Sequence, residues 1–277
     1  MTDGWFAAVD PAEPESHVRA ILDGSADEPR DWPTLAVEAG FAADEAAYYE
    51  VLHRATLAAA RAGVTERERA DDQQLVHAVR AMDDVERIAN ELAERVVEWA
   101  GTLFDDVDAG VDGAITIADR EPTDPVERQV VDLASQVADL VEERGRLQTF
   151  VERGMADVAP NLTALAGPIL GARLLSLAGG LEQLAKKPSG TVQVLGAEDA
   201  LFAHLSGRGP SPKHGIIFTH EYVRGTRPED RGSAARAVAG KLAIAARIDH
   251  YAGDHRPELG IELDERIRRI RDREAPE

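Results

Sequence analysis

The sequence has no cysteine, only four lysines, and aromatic residues at 5%. Without cysteine there is no disulfide framework, no thiolate zinc site and no cysteine nucleophile. With so few lysines, nearly all basic charge is arginine. The thin aromatic content argues against a groove that stacks base after base of a single strand. No apolar run approaches the ~18 residues of a membrane span, and Met1 to Asp10 lack a basic stretch leading into an apolar one. The expectation is a cytoplasmic chain with no membrane partner.

What is present is acidic. The 277 residues carry 51 Asp and Glu against 31 Lys and Arg, a formal net charge of −20. With 44% hydrophobic residues there is material for a core, so general disorder is not expected. An acidic, lysine-poor surface suits a high-salt cytoplasm, where self-repulsion is screened. On that habitat reading the global charge reports the solvent rather than the partner.

The distribution of charge is therefore more telling than its sum. Residues 1–155 hold 14 basic and 35 acidic groups, a net of −21. Residues 156–253 hold 11 and 8, a net of +3, and residues 254–277 hold 6 and 8, a net of −2. All four lysines, Lys186, Lys187, Lys213 and Lys241, lie in the middle segment. Two readings stay open: a less exposed segment that needs fewer acids, or a surface kept basic for a polyanion.

The chain divides by pattern. Residues 1–70 read as a small domain punctuated by Pro11, Pro14, Gly24, Pro29 and Pro33, with short strands before Asp31. A helix comes next, capped by Asp44 and ending near Gly63. Residues 71–104 read as one long helix with apolar positions Leu75, Val79, Met82, Val85, Ile88, Leu92, Val96, Trp99 and Leu103. Residues 105–124 read as a loop. A second long helix covers 125–153, with Asp124 as N-cap and Pro125 in its first turn. Its stripe is Val126, Val130, Leu133, Val137, Leu140, Arg144, Leu147 and Val151, alternating four and three like a heptad seam. Two such helices form an antiparallel hairpin, and the seam predicts self-association through those apolar positions. The alternative is a seam used within its own domain.

Residues 156–253 read as compact short helices broken by Gly and Pro, with extended pieces at Val192–Leu195 and Ile216–Phe218. Gly179-Gly180 reads as a close-packing point inside a helix. Residues 254–277, with Arg266, Arg268, Arg269, Arg271 and Arg273, read as a solvated helical tail.

Chemical constellations are scarce. Asp108 to Asp119 places acids at positions 1, 5 and 12 of an EF-hand-like loop. Calcium there needs an oxygen ligand at position 3 and a bidentate Glu at 12, and these are Gly110 and Asp119. The eight histidines make no zinc-binding spacing, and GxSxG, P-loop and GxGxxG motifs are missing. The sequence points to no catalytic residue, no metal and no cofactor.

The basic segment remains. Lys186 and Lys187 precede Pro188, Arg208 and Lys213 flank the turn Gly209-Pro-Ser-Pro212, and Arg224, Arg227 and Arg231 precede a helix carrying Arg236, Lys241 and Arg247. Those last three are five and six residues apart, so successive members sit about 140 and 120 degrees apart around a helix. They make no single stripe. A site gathered from the 186 turn, the 213 turn and this helix is the expectation, with phosphate contact outweighing base stacking.

Several blocks then occur in order: Gly171-Ala-Arg-Leu-Leu-Ser-Leu-Ala-Gly-Gly-Leu181 through Lys186-Lys-Pro, Val194-Leu-Gly-Ala-Glu-Asp-Ala-Leu-Phe202, Pro212-Lys-His-Gly215, Gly232-Ser-Ala-Ala-Arg236 to Lys241, and Ala245-Ala-Arg-Ile-Asp249. They resemble the NOP domain. Ala70–Trp99 resembles the coiled-coil portion of the same family, and Asn161–Pro168 resembles its junction. The chain is similar to the archaeal Nop scaffold of box C/D small ribonucleoproteins.

That resemblance implies a mainly α chain in four parts. They are a shortened N-terminal α/β domain at 1–70 that docks fibrillarin, a coiled-coil dimerisation hairpin at 71–155, an all-α NOP domain at 156–253, and a charged tail at 254–277. It implies box C/D guide RNA, a kink-turn-binding ribosomal-protein-like subunit, fibrillarin and a second copy as partners. It implies no catalysis by the chain itself. Carried over, the RNA contacts are Lys186, Lys213, His214, Arg236, Lys241 and Arg247. Ala200, Leu201 and Phe202 match a motif near the guide duplex that usually ends in Arg. Here Ala203 takes that place, with His204 beside it as a partial substitute. A competing reading is a coiled-coil adaptor that no longer recruits the methyltransferase.

Overall fold

The computed structural model describes residues 4–7, 9, 14–26 and 28–272. Arg273 and Pro11 lie outside the described residues. The chain forms two compact units, residues 1–70 and 71–277.

In the first unit, α1 (Pro14–Asp23), α2 (Trp32–Glu38) and α3 (Glu45–Arg69) follow one another. No described residue is in a strand, so among the described residues this domain is helical, and the short strands and α/β character expected before Asp31 are not found there. Pro14 opens α1, where its missing N–H costs nothing. A local aromatic core does the work a sheet would have done. Phe6, Phe41 and Tyr48 are buried, with Trp5 and Trp32 packed around them, and the Trp5 indole N–H donates to the Tyr48 hydroxyl at 3.2 Å. Asp31 and Asp44 cap α2 and α3 by accepting from Thr34 N and Ala47 N. Helix α3 runs on through Gly63 to Arg69, because one helical glycine costs only about 1 kcal/mol.

The second unit begins with α4 (Asp71–Ala100). Residues 105–124, expected as a loop, contain α5 (Gly110–Ala118), which packs with α4 and with α6 (Pro125–Val158) through Val96, Ala114, Ile117, Val130 and Val137. The Asp124 carboxylate accepts from Val126 N and Glu127 N, at 2.7 and 2.9 Å.

The heptad seam is largely consumed inside the chain. Val130, Val137 and Val151 are fully buried, Leu133, Leu140 and Leu147 are half-buried, and only Val126 is exposed. Its polar member, Arg144, reaches Glu86 of α4 at 3.6 Å. The buried seam positions are therefore corrected from an interface between copies to the inner face of the hairpin. The reason is physical: α4 is tethered beside α6 and meets the seam at an effective concentration that a second chain seldom matches.

The foot of the hairpin shares a core with the short helices after it. Leu75, Val79, Met82, Val151 and Met155 pack with residues of α7 (Pro160–Ala166), α8 (Pro168–Ala178) and α9 (Leu181–Lys186). Gly179, left-handed at φ +95°, ends α8, and Gly180, at φ +115°, precedes α9; the pair is a helix stop and start, not a packing point inside a helix. Asp72 of α4 accepts from Leu181 N at 2.8 Å, capping α9. Arg173 of α8 grips Asp83 of α4, with Nε 3.1 Å from Oδ2.

Helices α10 (Ser189–Val194), α11 (Glu198–Leu205) and α12 (Glu221–Arg224) lead to α13 (Arg231–Tyr251). Both expected extended pieces are corrected: one is α10, and the other is a 3-10 turn over Ile216–Thr219. They still meet, since Gly215 N donates to Gln193 O at 2.8 Å and Ile216 N to Leu195 O at 2.7 Å. Helix α13 is central. Ala234, Ala235, Ala239, Ala243, Ala245 and Ala246 are buried, and their small side chains let neighbouring helices come close.

The tail is packed rather than solvated. Leu259, Leu263, Ile267 and Ile270 of α14 (Glu258–Arg271) are buried in the same core. Tyr222 donates its hydroxyl to Asp264, which pushes the phenol up to about 12, so this bond persists across the physiological range. Among the described residues no single helix is long and apolar enough to cross a membrane.

Candidate nucleic-acid interface

The expected site residues fall into three environments. The first is the turn before the 3-10 segment. The Lys213 carbonyl accepts from Gln193 Nε2 at 2.7 Å, which fixes the turn against α10. The Lys213 stem passes 3.9 Å from where a side chain on Gly232 would begin. This brings the turn to the start of α13. The Lys213 ammonium itself is exposed with no partner among the described residues.

His214 stacks on Phe218, with ring centroids 4.7 Å apart and planes at 22°. The Arg231 guanidinium also covers the Phe218 ring, 5.3 Å from its centroid. Burial, then the nearby Arg231 and Lys213 charges, hold the His214 pKa below the usual imidazole value. The ring is therefore neutral near pH 7 and offers a flat face and a hydrogen bond rather than a charge. Sequence reasoning placed Arg231 only as one of three arginines ahead of a helix. Its stacking on Phe218 carries no spacing signal.

The second environment is α13. Arg236 is exposed, with no ion pair or side-chain hydrogen bond among the described residues. Lys241 differs: its ammonium donates to Glu262 of α14, and its side chain is only 21% exposed. Arg247 is committed too. Its Nε and Nη2 donate to the carbonyls of Ala185 and Lys187 at 3.1 and 3.0 Å. That spends the fork on the last carbonyls of α9, a helix-capping use. Arg247 thus positions the 186 turn, a role its place in the sequence does not reveal. Lys186, at that turn, pairs with Glu182 at 2.6 Å; this bond raises its pKa.

The third environment is α11, which buries none of its side chains. Ala200 is exposed, Leu201 half-buried and Phe202 66% exposed. His204, the expected substitute at this place, turns its Nδ1 to Gly209 O at 3.1 Å.

Of the six expected contacts, Lys213 and Arg236 are thus the free cations, His214 is a neutral stacked ring, and Lys186, Lys241 and Arg247 already hold partners. The geometry suits phosphate contact at the 213 turn and the start of α13, since anions are drawn to unpaired cations in the one segment of net positive charge.

Gly215 sets the approach of this turn. A Cβ there would fall 1.9 Å from Leu195 O, and a backbone atom cannot give way as a flexible side chain can. Gly215→Ala is expected to cost about 2 kcal/mol or more and to displace Lys213 and His214. Urea unfolding of the variant against the native chain measures the cost, and equal midpoints would show that the loop accommodates the methyl.

Comparison with known proteins gives a family match over residues 70–272, to the family described as "Nop", with "snoRNA binding domain, fibrillarin". The match begins where the second compact unit begins. A NOP5 family protein of Methanocaldococcus jannaschii is 38% identical over 238 residues, 72% of this chain and 57% of that protein. Nucleolar protein 58 of Schizosaccharomyces pombe is 32% identical over 71% of this chain and 46% of its own length. The chain spans about half the length of the curated relatives it matches. Among solved structures, a chain of a fibrillarin/Nop5p complex aligns over 96% of this chain and 98% of its own, with TM-score 0.56 and 26% identity.

Proposed function

We propose, from the premise that this chain belongs to the Nop family, that it is a non-catalytic scaffold of a box C/D guide ribonucleoprotein. Its second unit binds guide RNA at a kink-turn together with a ribosomal-protein-like subunit already seated there. Its first unit and hairpin hold fibrillarin where guide pairing presents a ribose 2′-hydroxyl. The chain contributes position, which alone is worth many-fold in rate when the reacting groups are held in register. The observation that carries this reading is that two of the expected contacts, Lys213 and Arg236, stand exposed and unpartnered among the described residues, in the one net-positive segment of a chain of charge −20.

The composite surface follows from the charge. A few free cations and a neutral ring give too little counterion release for tight binding to RNA alone. A subunit already on the RNA supplies the remaining contact area. Pairing of two copies belongs to this reading as well. Because Val130, Val137 and Val151 are buried within the chain, the surface for it would be the outer face of the hairpin. Ile88, Trp99 and Phe150 are exposed there at 43%, 40% and 52%.

Reconstitution tests the reading: guide RNA, subunit, fibrillarin and target RNA, with and without this chain. Guide-directed methylation that depends on the chain supports it, and equal methylation without the chain sinks it. A second reading, an adaptor that no longer recruits the methyltransferase, is favoured by one observation: the family match leaves out residues 1–69. Retention of fibrillarin on the immobilised chain at high KCl separates the two.

A further inference from the structure

Tyr251 ends α13 and is 66% exposed. An aromatic ring left so open on an acidic chain with few aromatics needs a reason. Its setting supplies one. Tyr251 lies one helical turn beyond Arg247, so the two share a face. Arg247 is bonded to the carbonyls of Ala185 and Lys187, so that face lies against the turn carrying Lys186 and Lys187. His250 meets the ring edge-on, with centroids 4.5 Å apart and planes at 66°, which restrains its orientation.

The cations grouped on this face are Arg247, Lys187, whose carbonyl Arg247 holds, and Lys186, which pairs with Glu182; Asp254, just past the helix end, pairs with Arg256. Lys187 has no side-chain partner among the described residues. A restrained, open aromatic face bordered by cations fits a base stacked on a ring with its phosphates on neighbouring lysines. We infer that Tyr251 is an RNA-contacting residue, a platform for one unstacked nucleotide of the bound RNA whose phosphates sit at Lys186 and Lys187. This rests on the RNA-scaffold reading and extends the contact surface beyond the residues that reading names. It calls for one stacked base, not a strand of them, in keeping with the low aromatic content.

The test is a titration of the full-length chain into a kink-turn guide RNA carrying its primary binding subunit, at several KCl concentrations. A stacked base is worth about tenfold or more in affinity and involves no counterion release. Tyr251→Ala should therefore weaken binding about tenfold at every salt concentration and leave the slope of log affinity against log KCl unchanged. Tyr251→Phe should bind as the native chain does, because the ring and not the hydroxyl is used. Lys187→Gln should instead make the slope shallower by about one. Since Tyr251 is exposed at a helix end, its variants should unfold at the native midpoint. Native affinity for Tyr251→Ala overturns the inference, as does a weakening by Tyr251→Ala that appears equally with the subunit alone, which would place the ring on the protein partner. If the native chain itself fails to bind the complex, the RNA-scaffold reading falls instead, and the two failures are distinct.

Discussion

Asp249→Ala is expected to lower the unfolding free energy of the second unit by about 3 to 4 kcal/mol. One carboxylate here serves three donors. Its Oδ1 accepts from Asn161 N at 3.0 Å and from Asn161 Nδ2 at 2.6 Å, and its Oδ2 accepts from Leu162 N at 2.9 Å. It thereby caps the start of α7, whose first residues have no other acceptor of this kind. Asn161 is 2% exposed, so its groups cannot turn to water when the carboxylate is removed. Asn161 also ties down the segment after α13, donating to Asp254 O at 2.8 Å and accepting from Arg256 N at 2.6 Å. Loss of Asp249 therefore loosens α7, the end of α13 and the entry to α14 together. A natural domain holds only about 5 to 15 kcal/mol in all, so the variant should lose a large share of it. Asp249→Asn keeps the shape and one good acceptor and should cost about half as much. Urea unfolding followed by circular dichroism measures both. An alanine variant within about 1 kcal/mol of the native chain would show the network to be dispensable.

The largest binding effect is expected from Lys213→Glu combined with Arg236→Glu. Both side chains are exposed and unpartnered among the described residues, so their replacement should leave unfolding unchanged to within about 0.5 kcal/mol. Binding should fall by a factor of roughly a hundred or more at moderate salt, since two phosphate contacts are lost and two repulsions take their place. The deficit should shrink as KCl rises, because the repulsions are screened. Lys241→Gln should do far less, as Glu262 already holds that ammonium. If Lys241→Gln proves as damaging as the double reversal, the RNA must displace α14's Glu262, and the surface extends along α13.

What could be read from the sequence was what neighbours in sequence decide. The caps at Asp44 and Asp124 and the hairpin of α4 and α6 follow from local capping and 3.6-residue periodicity. The family was legible because its blocks occur as contiguous motifs, Pro212-Lys-His-Gly215 among them. What failed depended on distant partners. The seam of α6 shows its apolar period but not whose side chains fill it, and α4 of the same chain does. The tail shows a row of arginines, while Leu259, Leu263, Ile267 and Ile270, spaced for one buried face, decide its fate. Arg247 and Lys241 read as free cations because Ala185 O, Lys187 O and Glu262 lie some 20 to 60 residues away.

The negative charge that dominates the composition therefore does not describe the surface proposed here for RNA. The second unit offers a few free cations, a neutral stacked histidine and one open tyrosine, set on a body whose helices α7, α13 and α14 are tied together through Asn161 and Asp249. On the function proposed above, such a surface recognises an RNA already shaped by another protein. The most direct measurement is titration of the full chain into a kink-turn guide RNA with and without its primary binding subunit, at equal KCl. Tight binding only when the subunit is present is the expected result. Equal affinity for free RNA, or no binding to either, would contradict it.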